Sequence, residues 1–262
     1  MANVSVLISS CDKFSDLWET HFRLYRENWD GAPWKTYLVT DKPTDRRFDG
    51  VEIIAAGEEL DFPMRIRYAL EQIDTDYVLV TLDDYFLIEK ARAGILSELA
   101  ELAEREKIDY LMLYDRRKTD PKKYKSPDVL EPIDLTKKYA VTLYPAIWNK
   151  DFLYHSVKSD LSPWLFEPSL TGYAREAGAN CQFSPAGTFV ILDVVRKGKV
   201  LRKADRYFKK HGIDIGDRPL IARSTEWKLA IMEQISWHAP KKLFRILKKI
   251  AKKCGMKFYS ED

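Results

Sequence analysis

YVLVTLDDYF, residues 77–86, opens with six apolar or β-favouring residues and then carries two adjacent carboxylates, Asp83 and Asp84. A run of that length without polar alternation reads as a strand covered on both faces, with the acids placed where the chain leaves the core. Upstream, NVSVLIS (residues 3–9) and KTYLVT (35–40) read the same way, and VEII (51–54) is a shorter strand. Between the first two, Trp18, Phe22, Tyr25 and Trp29 recur at helical spacing and predict a helix over residues 14–29 with an aromatic face. Pro63 suits a first helical turn, and Ile66, Leu70 and Ile73 form the stripe of a second helix. Downstream, Ile95, Leu99 and Leu102 mark a third helix, and YLMLY (110–114) another strand. Strand, helix, strand, strand, helix, strand is the order of an open α/β sheet, Rossmann-like and mostly parallel, with helices on its faces. Such sheets bind ligands outside the carboxyl ends of their strands, which points to Ser9 to Asp12, Asp41, Asp83 and Asp84.

The second half is less regular. Residues 115–138 are polar and contain Pro121, Pro127 and Pro132, as expected of a long surface loop. YAVTLYPAIW (139–148) begins as a strand, after which Asn149 or Asp151 can cap a helix containing Leu153 and Val157. Residues 164–174 suggest a further helix broken at Pro168 and Gly172, and TFVILDVV (188–195) a strand running into the basic turn RKGK. The simplest organisation is one α/β domain over residues 1–240, with a nucleotide-binding half (1–90) and an acceptor half (91–240), followed by an appendage over 241–262.

The chain has 262 residues, 45% hydrophobic and 32% charged, which excludes a disordered tail, a collagen and a small disulfide scaffold. Its formal charge of +3 hides a strong polarity: residues 196–257 carry 19 basic and 5 acidic side chains, residues 1–195 carry 24 and 33. Three cysteines without a C-x-x-C pair suggest neither a disulfide framework nor a zinc ribbon, and fit a reducing compartment. The N-terminal apolar stretch is too short for a signal peptide, and no run reaches the roughly 18 to 20 residues of a membrane span. A cytoplasmic protein, peripheral to the membrane at most, is expected.

Residues 241–257 carry eight basic residues and no acidic ones, with Leu243, Ile246, Leu247, Ile250 and Cys254 along one helical stripe. This basic amphipathic helix either packs on the domain or lies on an anionic membrane, at about 1 kcal/mol per basic residue. Without interleaved Tyr or Trp in that segment, and with an acidic remainder, no nucleic-acid partner is expected, although a nucleic-acid-binding protein is one class the charge alone allows.

Adjacent carboxylates at a strand end can hold a magnesium or manganese ion, or one can cap a turn while the other is solvated. Asp41 can accept hydrogen bonds from a base or ribose, and Arg65 can meet a phosphate; each has an ordinary alternative as a turn residue or a solvated helix face.

SSCDKF (9–14), TD (40–41), PMRIRYALEQIDTDYVLVTLDDYF (63–86), YPAIWNKDFL (144–153), SPWLFE (162–167), and VVRKGKV (194–200) with DRP (217–219) together resemble the GT-A-fold bacterial glycosyltransferases of surface-polysaccharide assembly. The most specific pieces are LDDYF, the segment around Trp148, and Pro163-Trp164 to Glu167. The resemblance implies a nucleotide-sugar donor bound through Ser9, Asp12, Asp41, Arg65 and Asp83. It also implies that Asp83 and Asp84 stand in for that fold's Asp-x-Asp metal motif. Here the acids are adjacent and Tyr85 takes the third position, so Asp84 is assigned to the divalent ion and Asp83 to the ribose or a bridging water.

An inverting transfer needs a carboxylate base, for which Glu167 is the candidate, with Trp164 and Phe166 as an apolar wall that raises its pKa, and Asp115 in reserve; the ordinary alternative is a surface helix Glu beside two core aromatics. One or two of Arg196, Lys197, Lys199, Arg202, Lys203 and Arg206 would clamp the departing diphosphate. The acceptor would be a surface glycan or a lipid-linked one. A nucleotidyltransferase is the enzymatic rival, but the segment after strand one has no glycine for a phosphate loop.

Overall fold

Val4–Ser9 is buried along its whole length and forms strand β1 of the computed structural model, which describes residues 2–29, 34–115, 119, 125–159, 161 and 163–227. A 3-10 turn, Asp12–Leu17, leads into helix α1 (Trp18–Asn28). Strands β2 (Thr36–Thr40) and β3 (Val51–Ala55) follow, then α2 (Phe62–Leu70), β4 (Tyr77–Leu82), β5 (Tyr85–Leu87) and α3 (Ala93–Arg105). Next come β6 (Tyr110–Met112), β7 (Glu131–Pro132), β8 (Ala146–Asn149), α4 (Lys150–Ser156), α5 (Pro163–Glu176), β9 (Cys181–Phe183) and β10 (Ile191–Asp193). These elements form one compact unit, residues 1–193; a second unit comprises residues 194–262.

The main sheet has eight strands in the order β3-β2-β1-β4-β8-β6-β9-β7, and β5 pairs separately with β10. Alternating side chains of the strands feed two cores. On one face Leu7, Val39, Val78 and Val80 meet Ile66, Ala69 and Leu70 of α2, Phe152 of α4, and Phe166 and Leu170 of α5. On the other, Val6, Ile8, Leu38 and Leu79 meet Trp18, Phe22 and Tyr25 of α1, and Leu96, Leu99 and Ala103 of α3. Covering on both faces is why β1 and β4 are mostly apolar and why their polar residues, Ser5, Ser9 and Thr81, are buried as well.

Local chemistry sets the helix starts. The Asp61 carboxylate accepts from Met64 N at 2.9 Å, and Asn149 Oδ1 from Phe152 N at 2.9 Å, each satisfying an otherwise orphaned first-turn amide. Where two caps for α4 were open in the sequence, Asn149 is the one used. Helix α5 runs unbroken through Pro168 and Gly172. Phe166, Leu170 and Ala174, four residues apart and fully buried, hold it there against the local propensity of the proline.

Three other expectations shift. The stripe of α3 is Leu96, Leu99, Ala100 and Ala103, with Ile95 only partly buried. The polar stretch after residue 115 contains β7, where Pro132 is tolerated because β7 is an edge strand. The strand expected over 188–195 is split: β10 ends at Asp193, and in the second unit β11 (Val195–Arg196) forms a hairpin with β12 (Lys199–Val200). Its turn places Lys197 and Gly198 at φ of 53° and 73°, the left-handed pair that suits the twist of a two-residue hairpin.

Also in the second unit, α6 (Arg202–His211) buries Ala204 and Phe208 and ends at Gly212 with φ of 63°. The basic helix expected over 241–257 lies outside the described residues. No helix among those described is long and apolar enough to cross a membrane.

His21 lies under this framework, 2% exposed, with its ring edge-on to Phe22 and Phe86. Burial lowers its pKa from 6.5 to about 4, opposed by the nearby Asp83 backbone. The unfolded chain therefore takes up a proton that the folded chain refuses, and stability falls as pH drops through that window, by roughly 3 kcal/mol in all. Urea unfolding at pH 7 and pH 4.5 checks this (the lower pH being roughly half a unit above the folded value): His21→Leu should lose less stability between the two than the wild-type chain.

Candidate active site at the carboxyl edge of the sheet

Strands β1 to β4 are mutually parallel. Strand β8 is antiparallel to both β4 and β6, so β6 points the same way as β4, and β9 is parallel to β6. Six strands thus present their carboxyl ends along one edge. Strand order reverses between β1 and β4, where the crevice of such sheets opens.

The ladder continues one residue beyond the strands there. Ser10 N donates to Val39 O at 2.9 Å, and Asp83 N to Ser9 O at 3.3 Å. Ser10 Oγ donates to the Asp83 carboxylate, and Trp18 Nε1 donates to Ser10 Oγ at 2.7 Å. Beside them, Asp41 Oδ1 accepts from Asp12 N at 2.6 Å and from Thr40 Oγ1 at 3.3 Å, tying the ends of β1 and β2 together. Lys42 lies 3.8 Å from the Asp12 carboxylate.

Arg65, on α2, donates from Nη1 to Leu60 O at 3.0 Å, while its buried Nε has no hydrogen-bond partner among the described residues. The half-buried Cys11 thiol senses all three charged groups: burial raises its pKa, Asp83 and Asp41 raise it further, and Arg65 opposes them. Asp41, Asp83 and Arg65 therefore all lie within electrostatic range of Cys11, and Asp12 is hydrogen-bonded to Asp41. Ser9 is placed differently. It is the last residue of β1, 1% exposed within the sheet, and its neighbour Ser10 reaches the carboxylate instead.

A second group gathers around Tyr85. Burial holds its phenol protonated well above the usual range, reinforced by Asp84, Glu167, Tyr144 and Asp193. Asp193 is 6% exposed and faces Tyr85 across the β5–β10 pair. Tyr144 stands 5.6 Å from Tyr85 and 5.7 Å from Tyr114, centroid to centroid, so three half-buried tyrosines line this side.

Glu167, half-buried on α5, accepts from Leu143 N at 2.9 Å through Oε1. The apolar wall expected beside it does not include Phe166, which is fully buried and packs toward Phe62 at 6.2 Å; the Trp164 side chain lies outside the described residues. Asp115, 4% exposed, lies three residues beyond β6 and closes a turn with Thr119. Two strand spacings separate β6 from β4, roughly 10 Å. The basic residues from Arg196 to Arg206 belong to the second unit, on and around β11, β12 and α6.

Ser10 falls within the Ser9 to Asp12 stretch that the sequence points to, whereas Trp18, Tyr144 and Asp193 carry no site role in the sequence reading. A Ser adjacent to the end of β1 was a visible signal for Ser10. Asp193 carried none, because its neighbours arise from the pairing of β10 with β5 across about 100 residues.

No protein-family model and no curated protein matches the chain. Solved structures do. The mannosyltransferase PcManGT from Pyrobaculum calidifontis, in complex with GDP-Man and Mn2+, aligns with a TM-score of 0.50 at 13% identity, covering 97% of this chain and 81% of that one. S. aureus TarS 1-349, in complex with UDP-GlcNAc, aligns with a TM-score of 0.51 at 14% identity, covering 76% of this chain. The match spans 60% of that TarS chain's length. At such identity the likeness is one of fold, and the fold is the GT-A type: a mostly parallel sheet flanked by helices.

The contact between Asp41 and Asp12 yields a direct expectation. Asp41→Asn keeps the Oδ1 acceptor and should leave stability nearly unchanged, whereas Asp41→Ala should cost about 1 kcal/mol in urea unfolding.

Proposed function

We propose that the chain is a glycosyltransferase that moves a sugar from a nucleotide-sugar donor to a surface-polysaccharide or lipid-linked glycan acceptor. The observation that carries this reading is the alignment of Ser10, Asp41 and Asp83 just past the parallel strands β1, β2 and β4 at the strand-order reversal, with Arg65 close enough to act on the same Cys11 thiol. Two carboxylates there suit ribose and base donors, and a guanidinium suits a diphosphate. The nucleotide sugars bound by PcManGT and TarS are the same class of ligand.

A divalent ion fits this edge in one way. No group of three or more His, Cys, Asp or Glu able to hold a metal gathers among the described residues, so the donor's own phosphates would supply most of its ligands, with Asp84 the residue to meet it. Bound there, Mg2+ or Mn2+ would offset charge developing on the diphosphate.

In the transfer, an acceptor hydroxyl oxygen forms the new bond to the anomeric carbon as the bond from that carbon to the phosphate oxygen breaks. The bonding pair leaves with the diphosphate, and the hydroxyl proton passes to a carboxylate. Glu167 is the proposed base. Its anchorage through Oε1 to Leu143 N holds the carboxylate in place on α5, and its charge acts on Tyr85. Asp115 is the alternative. The three tyrosines offer faces for a sugar ring. The basic 241–257 segment would bring the protein to an anionic membrane surface, where a lipid-linked acceptor resides.

Thermal melting with UDP- and GDP-sugars, with and without Mn2+, should raise the midpoint for one donor class, and Asp83→Asn or Asp84→Asn should remove the shift. No shift with any donor would reject the donor assignment. Glu167→Gln should fold normally yet transfer about 100-fold or more slowly, as expected for loss of a base. Full activity in that variant would move the role to Asp115. Deleting residues 241–262 should abolish cosedimentation with phosphatidylglycerol vesicles; retained binding would reject the membrane address.

A further inference from the structure

We propose that Ser10 and Trp18 are positioning residues that fix the Asp83 carboxylate for nucleotide binding; the ligand half of this inference rests on the donor reading above. Three side chains from three elements meet here, and all are nearly inaccessible: Ser10 is 5% exposed, Trp18 1% and Asp83 5%. Ser10 follows β1, Trp18 is the first residue of α1, and Asp83 follows β4.

The contacts form a directed chain. Trp18 Nε1 donates to Ser10 Oγ at 2.7 Å, and Ser10 Oγ donates to Asp83 Oδ2. The indole N–H also lies 3.4 Å from the same carboxylate oxygen. An indole only donates and a carboxylate only accepts, so the two ends set the polarity of the chain and the hydroxyl between them, able to do both, relays it. Aligned donors of this kind reinforce one another at low dielectric.

The carboxylate is thus oriented by neutral dipoles. Hydroxyl and indole N–H donors fix its rotamer without themselves carrying a charge. The Trp18 ring is itself held from the rim: Arg46 stands 6.0 Å from its centroid and donates from Nη1 to Ser15 O at 3.0 Å. A carboxylate that rotates freely would have to be ordered at each binding event, and that ordering weakens affinity. Asp84, next in sequence, acts electrostatically on Tyr85, whose phenol it helps to hold protonated.

Two readouts on the full chain test the inference. The first needs no nucleotide. Among the seven tryptophans, the Trp18 indole N–H resonance can be assigned through Trp18→Phe, and it should move in both Ser10→Ala and Asp83→Asn. The second is calorimetric titration with UDP and with GDP. Ser10→Ala should weaken whichever nucleotide the wild-type chain binds by about tenfold or more while keeping a cooperative melt, and Ser10→Thr should restore most of that loss. Wild-type affinity in Ser10→Ala, or an indole resonance indifferent to both variants, would overturn the proposal. A wild-type chain that binds neither nucleotide would overturn the donor reading and with it the ligand half, and the indole result would still report on the network. If Trp18→Phe fails to fold, Ser10→Ala decides the matter alone.

Discussion

Strand β1 is hydrogen-bonded on both sides, to β2 through Ser9↔Val39 and to β4 through Ser9↔Leu82, and each of its six residues is sequestered. A strand with neighbours on both edges and cores on both faces cannot slip by one residue without exchanging the side chains fitted into each core. That constraint locks the register of three strand ends at once. Ser10, Asp41 and Asp83 lie beside one another because each is the residue just past its strand, and the ladder bonds that continue to Ser10 and Asp83 carry the alignment out to the surface.

The same extended geometry separates the two neighbouring acids. Asp83 turns toward Ser10 and Trp18, whereas Asp84 belongs electrostatically with Tyr85, Glu167 and Asp193. A single strand end therefore serves two environments. One holds a carboxylate between a hydroxyl and an indole; the other holds phenols and further carboxylates along a half-buried aromatic row. Tyr85, which breaks the Asp-x-Asp spacing, organises that second side: its ring meets Tyr144 and its backbone pairs with β10.

Much of the first half was legible because its signals are local. Uniform apolar runs mark doubly covered strands, and the order of elements places their polar ends on one edge, so Asp41, Asp83 and Asp84 followed from pattern alone. The position of Ser9 did not, since whether the last residue of a strand faces core or crevice depends on where the ladder stops. Beyond residue 110 the strands shorten to between two and four residues, too few for periodicity to identify. There the contacts are set by pairing over long sequence distances, as with Asp193 and Tyr85, and by tertiary burial, which carries α5 through Pro168.

Cys11 illustrates what the crevice does to a group that only happens to lie in it. Sulfur reacts with oxidants and alkylating agents as its anion, and burial together with Asp83 and Asp41 disfavours that anion. The acids at the strand tips thus keep the Cys11 thiol in its protonated, less reactive form.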